Sequence, residues 1–479
     1  MNLRCLQLLP FVAALGFVAP AGADEPAPTI TQHRYVIGGR VLGATAEIGR
    51  IAIRDEKSGA VRGTMGFTAY RATGADRPVT FIWNGGPGAD STLLHFSAFG
   101  PRRFNVTGFE DNASSLLDVS DLVFVDPIGT GFSRGVTQED AKSFYGTLED
   151  FASVEQFVRS WLAREQAQKA SLFLIGESFG VWRAAAVADL LEEQGTRVAG
   201  IVLISGGAGV GEGLLPRNLA TALRIPNRAA AALALGKLSP DAGTDRDMIV
   251  KAATDWALNV YAPALARADT LSDAERDAIV AGIARYTAFP ATQIDRKTLT
   301  VTPREYLKGL LKSEGKTLNT FDMRKLAGGE GGHDAAFDAY FREELGYRTN
   351  LAYAGLSINP THDASVPAPG SINENWNYDS GVITPAVMAA AMAGEGPPGS
   401  QPWALNAIKR DPHLKVMVAA GLYDSLNSCA GNDALLPRIP AAQNFTMKCY
   451  PGGHAMYLDA AAHVQLTADV RAFIRANSH

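Results

Sequence analysis

Cysteine is scarce in this chain: its 479 residues hold three. Cys5 falls within an N-terminal segment expected to be removed, so the mature chain keeps Cys429 and Cys449. Two cysteines exclude a disulfide scaffold and, without a matching histidine cluster, argue against a structural zinc site. An even count in an exported chain reads as one disulfide, Cys429 to Cys449. An excess of positive charge is also missing, with 44 Lys and Arg against 49 Asp and Glu. Nothing here is built for a polyanion, so a nucleic-acid partner is excluded. Past the N-terminus, no uninterrupted apolar run approaches the roughly 20 residues that a membrane span needs. GxGxxG, P-loop and HExxH motifs are absent, and no cofactor or metal is expected. There is no internal repeat and no low-complexity tract.

What is present begins with an export signal. Met1 to Ala23 carries one early charge, Arg4, then an apolar run from Leu6 to Val18 broken by Pro10 and Gly16, then Ala21-Gly-Ala23. That order describes a signal peptide cut after Ala23 rather than a membrane anchor, and predicts a periplasmic or secreted protein without stable membrane insertion. What remains exceeds the length of most single compact domains.

Residues 30–211 read as the first part of an α/β core. Period-two patterning between His33 and Tyr70, interrupted by glycine, predicts antiparallel strands at a sheet edge. Short apolar strands follow at Pro78–Trp83, Leu122–Val125, Leu172–Ile175 and Gly200–Ile204, with helices near 148–166 and 181–191 between them. Strand and helix in alternation predict a mostly parallel sheet covered on both faces, with its active site beyond the strands' carboxyl ends. Residues 212–400 read as a helical cap and irregular insertion, with capping boxes at Ser272–Glu275 and Thr302–Glu305. Residues 401–479 return to the core, with strands at Leu414–Ala420 and Phe445–Tyr450 and a last helix near 461–476.

The chain is organised around Gly176-Glu-Ser-Phe-Gly180. A strand before and a helix after GxSxG place Ser178 on a sharp turn, its hydroxyl above the sheet end and the next N–H facing outward. A serine hydroxyl needs a positioned base, and in this fold an acid and then a histidine follow the serine in sequence. His454, in the glycine loop after the last core strand, is the candidate base. His463 lies on the final helix, and His333, His362 and His413 lie in the insertion or before a strand. Asp424, following a core strand, is the candidate acid; Asp433 lies further into the loop, and Asp126 precedes the serine. Asn84-Gly-Gly-Pro-Gly88 follows another strand, and Gly86 with Phe179 would supply the two N–H donors of an oxyanion hole.

These residues resemble the serine carboxypeptidases of the α/β-hydrolase fold. The resemblance rests on Trp83–Gly88 with Gly100-Pro101, Phe124–Ser133, Gly176–Gly180, Ala420–Asp424 through Gly431-Asn432, and Gly453-His454. It implies Ser178, Asp424 and His454 as a catalytic triad and Gly86 with Phe179 as the oxyanion hole. It implies further that Asn84 and Glu177 bind the free carboxylate of the substrate's last residue, Glu177 as a protonated donor. The chain departs from the pattern at Ala89, at Phe179, at Ile82, and at Ala98, where many members carry a second glutamate. The expectation is a carboxypeptidase acting on a peptide or small acyl substrate. Two rivals stay open: an esterase or acyltransferase on the same triad, and a catalytically silent peptide-binding protein.

Overall fold

The computed structural model describes residues 27–211, 213–328, 334–355, 371–377 and 401–478. The expected signal peptide, His333, His362 and most of the Asn/Gly/Pro-rich segment after Thr349 lie outside the described residues.

Twelve strands are described: β1 (Thr29–Ile37), β2 (Arg40–Arg54), β3 (Val61–Ala72), β4 (Val79–Trp83), β5 (Arg102–Asn105), β6 (Gly108–Asp111), β7 (Asp121–Asp126), β8 (Arg134–Gly135), β9 (Leu172–Glu177), β10 (Gly200–Ile204), β11 (Lys415–Gly421) and β12 (Phe445–Tyr450). The main sheet runs β1-β2-β3-β7-β4-β9-β10-β11-β12, with β8 beside β3. The first three strands and the β3–β7 pair are antiparallel. From β7 onward every neighbour is parallel. The parallel strands therefore open their carboxyl ends along one edge, toward Asn84, Asp126, Ser178, Ser205, the Asp424 loop and the His454 loop.

Nine of the described helices frame the sheet and the insertion: α1 (Thr147–Arg164), α2 (Gly180–Glu193), α3 (Ile225–Ala234), α4 (Arg246–Trp256), α5 (Asp273–Thr287), α6 (Pro303–Gly309), α7 (Trp403–Arg410), α8 (Cys429–Leu435) and α9 (Ala460–Asn477). The central strands β4, β9 and β10 are buried at every position, the pattern of a sheet covered on both faces. Their side chains alternate between two cores. Phe81, Trp83, Leu172, Leu174, Ile201 and Leu203 pack with α1, α2 and α7, where Trp161 meets Phe81 edge-on at 5.3 Å. Phe173, Ile175, Val202, Ile204 and Met417 face the other way, onto Phe124 and the Leu466, Val470 and Ile474 stripe of α9. Burying each such side chain contributes about 1.5–3 kcal/mol relative to leaving it exposed.

Between β10 and β11 the described chain is helical. Both expected capping boxes are formed, Ser272 with Glu275 on α5 and Thr302 with Glu305 on α6. This segment has its own apolar cluster, which reaches the sheet through Ala420, Leu422 and Tyr423 at the end of β11 and takes in Cys429 at the start of α8. Cys429 and Cys449 are disulfide-bonded with Cα atoms 5.5 Å apart, joining the start of α8 to β12. The order and pairing of the strands, with helices on both faces, make this the α/β-hydrolase fold.

Three elements differ from the sequence expectation. A hairpin, β5 with β6, follows Gly100-Pro101; its strands are four residues each and charged, so they carry no period-two signal. His95–Phe99 forms a wide helical turn, in which His95 stacks between Phe96 and Phe124 at 3.9 and 4.1 Å. Within the helical insertion, the chain from Leu318 to Leu326 doubles back on itself as a non-helical strap.

Candidate active site

Ser178 occupies the left-handed region, φ +56°, between β9 and α2. That geometry costs a non-glycine residue on the order of 1–3 kcal/mol, and the surroundings hold it in place. The Ser178 N–H donates to the Ile204 carbonyl at 2.8 Å, and its own carbonyl accepts from Val181 at 3.1 Å. A side chain at Gly176 would sit 1.9 Å from the Gly180 carbonyl oxygen, so the turn closes only with glycine there.

The Asn84–Gly88 loop leaves β4 and lies against this turn. A Cβ on Gly85 would stand 2.5 Å from the Phe179 nitrogen and 2.9 Å from the Ser178 Cβ. Gly86 has φ +97°. Among the described residues, the N–H groups of Gly86 and Phe179 have no hydrogen-bond acceptor. Arg183, wholly buried on α2, donates to the Asn84 carbonyl at 2.9 Å and pairs with Asp150 at 2.7 Å. Residues 371–377 pack over the loop: Asn373 donates to the Pro87 carbonyl at 3.3 Å, and Trp376 meets the Phe179 ring edge-on at 5.4 Å.

His454 Nδ1 and Asp424 Oδ2 are 2.8 Å apart, both side chains buried. A carboxylate only accepts, so Nδ1 carries the proton and Nε2 presents a lone pair. Nε2 is buried and has no partner among the described residues, and no hydrogen bond joins it to Ser178. Asp424 also accepts from the Leu426 N–H at 2.9 Å and from Asn427 at 2.6 Å. Burial alone would lower the His454 pKa; the charge and hydrogen bond of Asp424, helped by Glu177, outweigh it and hold His454 above the ordinary histidine value.

Glu177 is buried next to the turn, with one oxygen taken by Asn84 Nδ2 and the other accepting from the Tyr457 hydroxyl at 2.9 Å. Asn84 Oδ1 accepts in turn from Leu94 at 3.0 Å. Burial raises the Glu177 pKa, against the opposing pull of His454, Tyr457 and Asn84. Glu177 is thus bonded across to two other elements, not within its own turn.

The structure also locates the other candidates. His463 Nε2 donates to the Ala98 carbonyl, 2.9 Å away on the buried side of α9, and His413 follows α7. Asp433 lies on α8. Asp126 accepts from the Ser91 N–H and hydroxyl at 2.8 and 2.7 Å. The Tyr353 hydroxyl spans Asp126 and Asp90, and burial with the charge of Asp90 pushes Asp126 up to about 7.

Sequence reasoning missed four contributors. Tyr457 stands three residues past His454, a helical-turn spacing that carried a signal. Ser205, directly after β10, donates its hydroxyl to the His454 carbonyl. Asn227 on α3 donates to the carbonyls of Asn427 at 3.1 Å and of Asp424 and Gly421 at 3.4 Å. Phe321, on the strap, accepts from the His454 N–H at 2.6 Å and sets its ring 5.1 Å from the imidazole.

A family model described as serine carboxypeptidase matches residues 66–234, a span that contains the Asn84 loop and Ser178. A search of curated proteins finds no match. Similar solved structures include an open-form lipase, 14% identical over 89% of this chain and 99% of that one, TM-score 0.38. A putative aryl esterase from Burkholderia cenocepacia is 12% identical over 89% and 98%, TM-score 0.38. A soluble variant of monoglyceride lipase from Saccharomyces cerevisiae is 12% identical over 90% and 95%, TM-score 0.36. Over residues 66–234, about a third of its length, the chain is thus similar to the serine carboxypeptidases, on an α/β-hydrolase fold.

Proposed function

We propose that this is an exported serine-type carboxypeptidase that releases C-terminal residues from peptides through an acyl-enzyme. The observation that carries the reading is the buried Asp424–His454 pair, with its unpartnered Nε2, on the same sheet edge as the strained Ser178 turn. Ser178 Oγ attacks the scissile carbonyl while His454 Nε2 takes its proton, and Asp424 stabilises the imidazolium. The N–H groups of Gly86 and Phe179 receive the oxyanion. Collapse breaks the C–N bond as His454 returns the proton to the leaving amine; water, activated by the same base, then frees the acid.

Asn84 and Glu177 bind the substrate's terminal carboxylate in this scheme. Burial favours the neutral Glu177 carboxyl, which donates where a carboxylate would repel. The described helices between β10 and β11 act as a cap over the reacting groups. The apolar N-terminus and the Cys429–Cys449 bond support a periplasmic or secreted location. Among the described residues, no helix is long and apolar enough to cross a membrane.

One observation favours a second reading, an esterase or acyltransferase. Both oxygens of Glu177 are already engaged, by Asn84 and Tyr457, and Ala98 supplies no second carboxyl. A fluorophosphonate probe tests the chemistry common to both readings. It should label the wild-type protein and spare Ser178→Ala; an unlabelled wild type would favour the silent peptide-binding protein.

A further inference from the structure

Two arginines stand at the start of α3, Arg224 beside the Asp424 loop and within reach of the Asp424 charge, Arg228 one turn on, and neither is in ion-pair contact with an acid among the described residues. Arg224 precedes the helix and Arg228 lies one turn along it. Arg228 is 5% exposed. Its guanidinium lies over the Tyr306 ring, 4.9 Å from the centroid, which fixes its orientation but supplies no counter-charge. The hydrogen bond of Arg224 is a long one, 3.4 Å to the Ser425 carbonyl next to Asp424. Neither arginine has a carboxylate within ion-pair distance among the described residues.

Other buried arginines here are matched. Arg183 has Asp150, and Arg134 is bound by the carbonyls of Gly131 at 3.0 Å and Ser133 at 2.8 Å. A guanidinium does not readily shed its proton, so an unmatched buried one carries a desolvation cost that only an anion relieves. Burial first, and then the charge of Arg224, bring Arg228 down to about 10.

The helix face that holds them is the one on the site. Asn227, between them, donates to three carbonyls of the Asp424 loop, and its Oδ1 is buried without a partner. Arg224 keeps part of its surface open. Arg224 and Arg228 thus put two guanidiniums on the helix face that meets the Asp424 loop, an arrangement that suits capture of a carboxylate.

We infer that Arg224 and Arg228 form a binding site for a carboxylate of the substrate, additional to the one assigned to Asn84 and Glu177. The carboxylate belongs either to an acidic side chain or to the chain end. The inference rests on the peptidase reading only for what bears the carboxylate, because binding is measured without turnover.

The test titrates Ser178→Ala protein by calorimetry with three N-benzoyl dipeptides: Gly-Phe acid, Gly-Phe amide and Gly-Glu amide. The same titrations are repeated with Arg228→Gln, Arg228→Lys or Arg224→Gln added. Losing one guanidinium should weaken at least one carboxylate-bearing ligand about tenfold or more and leave Gly-Phe amide unchanged. Weakening of Gly-Phe acid names the chain end, and weakening of Gly-Glu amide names the side chain. Arg228→Lys should recover part of the affinity. The thermal midpoint of ligand-free Arg228→Gln should hold or rise, because an unmatched buried charge is gone. Equal weakening of all three ligands, unchanged affinities in every variant, or no binding of either carboxylate-bearing ligand would overturn the inference. Wild-type protein that binds these ligands yet hydrolyses no peptide would refute the peptidase reading and leave the site standing.

Discussion

The backbone N–H of His454 donates to the carbonyl of Phe321, 2.6 Å away on a strap from the helical insertion. The same strap grips the acid's loop: Met323 N–H donates to the Tyr423 carbonyl at 2.9 Å, and the Ser425 hydroxyl donates to the Thr320 carbonyl at 2.7 Å. His454 and the Asp424 loop are therefore held in register by one segment that bonds to both.

Gly453→Ala should disturb that register. The added Cβ would lie 2.6 Å from the Phe321 carbonyl oxygen and 2.7 Å from the Asp322 Cβ, so strap or His454 loop must move. Displacements of about 1 Å at such sites cost about 10²-fold in rate, and kcat should fall by that order on peptide and ester alike. Far-UV circular dichroism should not change. A wild-type kcat would show that the strap does not position His454.

The pH dependence should differ between substrates. With its folded pKa raised, His454 is the free base only above a higher pH than an ordinary histidine, so kcat/KM for a neutral ester rises through that pKa. For stability the sign is opposite: the Asp424–His454 pair contributes fully below the unfolded histidine value, about 6.5, and the contribution fades as pH rises through the folded one. Asp424→Asn should move the rise to lower pH and cut kcat by about 10⁴. Glu177 is raised by burial, so for a peptide acid KM should climb as pH takes Glu177 from donor to carboxylate. Superimposable profiles for ester and peptide acid would show that Glu177 does not read the carboxylate.

Reduction should reach activity before it reaches the fold. Cys429 and Cys449 are 20 residues apart, a loop for which chain entropy gives about 3 kcal/mol of stabilisation. The bond ties α8, just past the Asp424 loop, to the strand that delivers His454. Cys449→Ser should lower the thermal midpoint and kcat while the sheet's circular dichroism is retained. Two free thiols in the denatured, unreduced protein would contradict the bond.

The core was legible because its signals are local. Gly200–Ile204 and Leu172–Ile175 read as buried strands, and the capping boxes at Ser272 and Thr302 announced their helices. The glycine spacing around Ser178 did the same for the turn. What stayed hidden depends on distant partners. Nothing near Phe321 says that its carbonyl meets His454, and Arg228 reads as an ordinary helix residue until Tyr306 and the missing acids around it are seen. Glu177 was legible as a buried carboxyl but not as one already bonded to Tyr457 and Asn84, since those contacts close only when β4, β9 and the His454 loop are brought to one edge. The β5–β6 hairpin fell below the signal because its strands are short and charged.

The carboxypeptidase claim is tested most directly by mass spectrometry of a peptide library and its C-terminally amidated twin, incubated with wild-type protein and with Ser178→Ala. The expected result is stepwise loss of C-terminal residues from the free acids, intact amides, and a rate for Ser178→Ala lower by about 10⁴ to 10⁶. Equal cleavage of acids and amides, internal cleavage, or Ser178→Ala activity within about tenfold of wild type would contradict it.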